Sequence, residues 1–233
     1  MPWALRNVAS PSFTSDARSG SGGLDVTLPS YQVNDILVMG ASARPSNGFT
    51  VGSPPTGWSS LRDGTANETK LFVKIAAASE ATPNVVCSET GAFGACIAAF
   101  SGGPASLAGI LHASALADSG GSLVEDIATA ALTITIAQTL ELYFGAASGN
   151  EWVAGTQPNG ASVLCAANFA GAFNNLWLGF AYRVQGAAAS LAASKFDTTS
   201  VNTVRTNSIV ASLVPGQTSA AAAQAYYRSL LVR

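Results

Sequence analysis

Histidine is nearly missing from this chain of 233 residues: His112 is the only one. A metal site built from several imidazoles is thereby excluded, and a Ser-His-Asp relay would have to use this residue. It lies in "GILHASALADSG", and the chain contains no G-x-S-x-G elbow, so a structural or exposed role is the favoured reading. Charge is equally scarce. Asp, Glu, Lys and Arg make up 10% of the residues, against about 25% in a typical soluble domain. The basic residues are scattered and the net charge is −2, which argues against a phosphate-neutralising nucleic-acid surface. Cysteines number three, an odd count that excludes a fully paired disulfide framework.

Motifs of common chemistries are lacking too. The "SGSGG" of Ser19 to Gly23 has no G-K-[ST] ending, and no D-x-D-x-D-G calcium loop occurs. Asp63, Glu68, Glu80 and Glu89 lie beside turns, and the adjacent Glu125 and Asp126 would point to opposite strand faces. None forms the acid pair that glycoside hydrolysis needs. The expectation is a protein that is not an enzyme, with no catalytic residue, no cofactor and no metal. The start, "MPWALRNVASPS", lacks a basic region followed by an apolar one, which reads as cytoplasmic synthesis.

The apolar fraction is 48%. With so little charge, Ser, Thr, Asn, Gly and Ala must cover the exterior, as suits β-surfaces or surfaces buried against other subunits. A homo-oligomer is expected. Ile127 to Ala147 is long enough to span a bilayer, but Gln138, Glu141 and the alternating "LTITI" favour strands, and no membrane span is expected.

The strongest positive signal is internal repetition. "ILVMGASA" (Ile36 to Ala43) parallels "LELYFGAAS" (Leu140 to Ser148), with Gly40 set against Gly145. "SPPTGWSSL" (Ser53 to Leu61) parallels "TQPNGASVL" (Thr156 to Leu164): proline presets one turn position and glycine two places on accepts φ > 0. "KLFVKIAAAS" (Lys70 to Ser79) parallels "LGFAYRVQGAAAS" (Leu178 to Ser190), with Lys74 against Arg183, and "ACIAAFSGG" (Ala95 to Gly103) parallels "SIVASLVPG" (Ser208 to Gly216). "LDVTLP" (Leu24 to Pro29) pairs with "ALTITIA" (Ala131 to Ala137).

Short Val, Ile, Leu, Thr, Phe and Tyr runs between turn residues at spacings near ten predict an all-β, antiparallel, jelly-roll-like β-sandwich, internally duplicated. The expected division is 1–106, 107–217 and a C-terminal assembly segment 218–233. The two repeats form either separate sandwiches or one merged sandwich about a pseudo-twofold axis. The last segment, "TSAAAAQAYYRSLLVR", is a short helix or a closing strand. Cys87 and Cys96 would face each other if "SETGAFGA" is a hairpin, but reduced, buried thiols are the favoured state.

Aromatics are the remaining contact candidates. Trp58 suits core packing, whereas Trp152, Phe169 and Phe173 lie in loop-like stretches of the second repeat, and Tyr226 and Tyr227 in the tail. Exposed aromatics of this kind stack on sugars or anchor a partner.

The run "VNDILVMGASAR", then "PPTGWSSL", then "TKLFVKIAAASEATPNVVCSETGAFGACIAAFSG" resembles a β-sandwich unit recurrent in structural proteins of tailed bacteriophages. The likeness covers roughly Leu24 to Gly103. The second repeat departs from it at the tryptophan, the Asp before the strand and the Ser-Glu turn. The resemblance implies a non-enzymatic virion part (tail, fibre or head-attached decoration) that contacts other virion proteins. The alternative is a module that binds a host surface glycan or receptor through the loop aromatics.

Overall fold

The computed structural model describes residues 2–13, 22–44, 48–88, 93–119, 124, 126–148, 156–170, 175–197 and 205–216, without the side chains of 67, 169, 170 and 175. The C-terminal segment 218–233 therefore lies outside the described residues. The first half contributes β1 (Ala4–Val8), β2 (Ser12–Phe13), β3 (Gly22–Asp25), β4 (Ile36–Ala43), β5 (Ser59–Asp63), β6 (Thr69–Ile75), β7 (Asn84–Cys87) and β8 (Phe93–Ser101). The second contributes β9 (Leu111–Asp118), β10 (Ile127–Thr129), β11 (Leu132–Ile134), β12 (Thr139–Ser148), β13 (Ser162–Ala170), β14 (Asn175–Gln185), β15 (Ala189–Leu191), β16 (Ser194–Phe196) and β17 (Thr206–Leu213). The 127–147 segment is three strands, and no helix among the described residues is long and apolar enough to cross a membrane.

All pairings are antiparallel. One large sheet runs β1-β8-β4-β6-β5, with β2 also on β8, and the other runs β9-β17-β12-β14-β13. The strand orders correspond, and so do the registers. Ser59 pairs with Val73 as Ser162 pairs with Tyr182, and Ile36 pairs with Phe100 as Leu140 pairs with Leu213. Each edge carries one extra residue at the same place. Leu61 bulges from β5 and Leu164 from β13, while Arg6 bulges from β1 and His112 from β9. The residues two before β4 and one before β12, Asn34 and Gln138, both have positive φ.

The large sheets pack face to face over one core drawn from both halves. It includes Ile36, Val38, Val73 and Phe100 from the first and Leu142, Phe144, Phe180 and Ile209 from the second. β8 lies over β14, and β6 over β17. The outer face of each large sheet is covered as well. The β3-β7 ribbon buries Leu37, Met39, Phe72 and Ile97 against Leu24, Val85 and Trp58. The β10-β16 and β11-β15 ribbons bury Tyr143, Trp177 and Val210 against Ile127, Leu191 and Phe196. Strands β4, β12 and β17 are consequently buried at every residue, which explains why none of them shows the apolar-polar alternation of a half-exposed strand.

The two Pro-x-Gly turns behave as expected in outline. Gly57 and Gly160 both have positive φ, at 79° and 67°. The proline is the first turn residue, since Trp58 N–H donates to the Pro55 carbonyl and Ala161 N–H to that of Pro158, each at 2.9 Å. Trp58 is a core residue, with Ala161 at the matching place.

One conditional reading and one alignment are overturned, whereas the reduced, buried state expected of the thiols is found. Cys87 and Cys96 do not face each other across a hairpin: β7 pairs with β3 and β8 with β4, so these cysteines enter different cores. All three cysteines are free and buried. The Gly40 to Gly145 match is one residue out of frame. Gly40 faces the central core beside Phe144, whereas Gly145 faces the outer ribbon at Ile127 and Phe196, and a one-residue slip exchanges the faces of a strand.

Candidate functional site

Of the contact candidates, Trp152, Phe173, Tyr226 and Tyr227 lie outside the described residues. The backbone of Phe169 lies in β13 opposite Leu176, and its side chain is not described. His112 sits in the β9 bulge, where its Nε2 accepts from the Thr135 N–H at 3.1 Å and lies 3.2 Å from Thr135 Oγ1. Among the described residues no acid orients the ring as a base requires. No group of three metal-ligating residues occurs among the described residues.

The described carboxylates that the sequence singled out go into ion pairs. Asp63 meets Lys70 at 3.7 Å, Asp126 meets Lys195 at 2.7 Å, and Glu80 meets Lys74. The last pair explains a recurring motif. Lys74 ends β6 with its Nζ beside Gly57 of the first Pro-x-Gly turn, and Glu80 ties the Ser-Glu turn by accepting from Ala77 N–H at 2.6 Å. In the second half Arg183 takes the place of Lys74. Its Nε donates to Glu141 at 3.0 Å and its second nitrogen to the Asn159 carbonyl at 2.9 Å. With no Ser-Glu turn there, the acid comes from the core strand β12. Each Pro-x-Gly turn thus has beside it a cation paired with a carboxylate, and in the second half that cation hydrogen-bonds the turn itself.

Glu141 is fully buried and also accepts from the Tyr143 hydroxyl at 2.8 Å. Burial, then the charge of Glu141, pushes the Tyr143 phenol well above its ordinary value. A second buried polar group links the halves at one end of the sandwich. Thr69 Oγ1 donates to Asn207 Oδ1 at 2.8 Å, and Asn207 Nδ2 donates to the Thr65 carbonyl at 3.1 Å. Beside it Arg205 lies 3.5 Å from Glu68 and 3.8 Å from Asp118. Sequence reading missed the pairing roles of Glu141 and Glu68 because their partners are 42 and 137 positions away in the chain; the basic ends of β6 and β14 were the available signal.

These networks hold backbone in place, so contact chemistry falls to the surface. A cleft of about 640 Å³ is lined by the linker Pro104 to Gly109, Ile136, Ala137, Val214 and Pro215, with Ser106 as its one hydroxyl. The four sheet edges differ more informatively. β5 is short and carries Arg62 and Asp63, and β1 carries Arg6 paired with Asp35. In the second half β9 reads "LHASALAD" and β13 "SVLCAANFA", so the only ionisable side chains besides Cys165 are His112 and Asp118, near and at the ends of β9. Charges and short length are devices that keep sheet edges from pairing with other chains. The first half has three such charges, and the second has Asp118 alone, with a bulge on every edge of both. No family model, curated protein or solved structure matches this chain.

Proposed function

We propose that the chain is a non-enzymatic structural component of a phage virion, working through contacts with copies of itself and neighbouring subunits. The contrast between the first-half edges, which carry Arg6, Arg62 and Asp63, and the second-half edges, where Asp118 at the end of β9 is the one fixed charge, carries the reading. An uncharged strand edge loses little hydration when another subunit covers it, whereas an unpaired charge there would be costly to desolvate. The overall charge of 10% points the same way, and a four-layer β-body buried on both faces of its large sheets is a rigid unit suited to cementing, decorating or displaying. The test is quantitative mass spectrometry of purified particles. The chain is expected at a fixed copy number per particle; its absence from particles, with the chain abundant in the same lysate, would refute the assignment.

A further inference from the structure

We propose that β9 is a self-association edge, and that two copies join by pairing their β9 strands antiparallel about Ala115, continuing the second-half sheet across a twofold axis. This deepens the structural reading above and rests on it for its biological sense, though not for its chemistry.

Among the described residues β9 pairs with β17 on one side and with no strand on the other. Beyond the His112 bulge its register is unbroken from Ala113 to Asp118, so alternate backbone N–H and C=O groups point outward in regular array. Such a row is a template for another strand. The side chains flanking it are small: Ala113, Ser114, Ala115 and Ala117 leave room for close approach, and Leu116 is turned toward the central core.

The occupant follows from the order of residues along the strand. Antiparallel pairing about Ala115 sets Ala113 against Ala117, Ser114 against Leu116, and His112 against Asp118 of the second copy, twice by symmetry. The one acid of the strand, which has Arg205 of its own copy 3.8 Å away, is thus set opposite the one imidazole, and no two carboxylates meet. The β13 edge has no such self-complementarity, because it carries no acidic or basic residue. The counterpart of β9 in the first half shows the contrast: β1 has Arg6 at the matching bulge, a fixed cation engaged by Asp35, where β9 has His112 engaged by the uncharged Thr135. Strand-to-strand contact of this length belongs to the small, weak class of interface, so association is expected between roughly 1 µM and 1 mM.

The experiment is sedimentation velocity of the full chain across that range, with disulfide trapping of single-cysteine additions. Ala115→Cys is expected to give a covalent dimer under mild oxidation, since residue 115 meets its own copy on the axis at cross-strand distance. Ala117→Cys would meet Ala113 and is expected to trap at least ten-fold less. The native cysteines are buried and should not interfere. Circular dichroism matching the parent confirms that each variant is folded. A parent that stays monomeric to 1 mM, or a dimer in which folded Ala115→Cys is trapped no better than Ala117→Cys, overturns the proposal. Copies found in particles alongside a monomeric, untrappable protein would sink this interface and leave the virion assignment standing. A trapped dimer absent from particles would do the reverse.

Discussion

Gly40 and Phe144 meet across the central core, and the space a Cβ would take at Gly40 is filled by the Phe144 ring, whose Cδ2 and Cε2 would lie 2.5 Å from it. In the strand-pairing frame the two occupy matching places, Gly40 opposite Cys96 and Phe144 opposite Ile209. One half supplies the ring and the other the hollow. Phe144 is further fixed edge-on to Phe180 at 5.6 Å between centroids. Gly40→Ala should therefore destabilise by about 1–3 kcal/mol through overpacking, and Phe144→Ala by about 3–5 kcal/mol through the cavity left. Gly40→Ala with Phe144→Ala should cost less than the sum of the two single changes, measured as a double-mutant cycle in urea.

Arg183 and Glu141 form an ion pair whose acid is fully buried. Arg183→Met should leave that carboxylate without its cation and free the Asn159 carbonyl, lowering stability by about 3–5 kcal/mol. Adding Glu141→Gln should recover much of the loss. Thermal melts of the single and double variants check this, and equal melting points for parent and Arg183→Met would contradict it.

Tyr143 should titrate late. Burial and the neighbouring Glu141 raise its folded value above the ordinary 10 of the unfolded chain, so the folded state holds this proton more tightly. The resulting stabilisation is complete below pH 10 and is lost as pH climbs toward the raised value. Tyr143→Phe should flatten this alkaline limb of stability, and tyrosinate absorbance near pH 11 should be lower in the folded parent than in the same chain unfolded, a deficit that Tyr143→Phe reduces by about one phenol.

All three thiols should resist an aqueous thiol reagent in the folded protein and react on unfolding. Cys96 is held protonated by the hydrogen bond with Cys165 and by burial, which suppresses the thiolate that reacts. Rapid labelling of Cys96 or Cys165 would show that the central core is open to solvent at that edge.

The strand set was legible because turns and apolar runs are local. The Pro-x-Gly turns, the leucines at 61 and 164 and the basic ends at 74 and 183 all align in the structure at the places their spacing suggested. What failed was frame and partnership. Gly40 could be slid onto Gly145 because both strands are buried on both faces, so no exposed residue marked which side was which. The cysteine hairpin failed because Cys87 belongs to a covering ribbon and Cys96 to a central strand, a distinction of layer that 10 residues of sequence do not encode. The charged contacts of Glu68 and Glu141 are set by tertiary pairing alone. Trp152, Phe173, Tyr226 and Tyr227 lie outside the described residues, as does the side chain of Phe169, and their contact roles stand as expectations.

The single central core ties the fate of either half to the other. Ile36, Val38 and Phe100 would face water if residues beyond the linker at Pro104 were removed, as would Leu142, Phe144 and Ile209 if the first half were removed. A nick within Pro104 to Gly109 should thus yield two pieces that stay together under native conditions and co-purify, each insoluble when made without its mate.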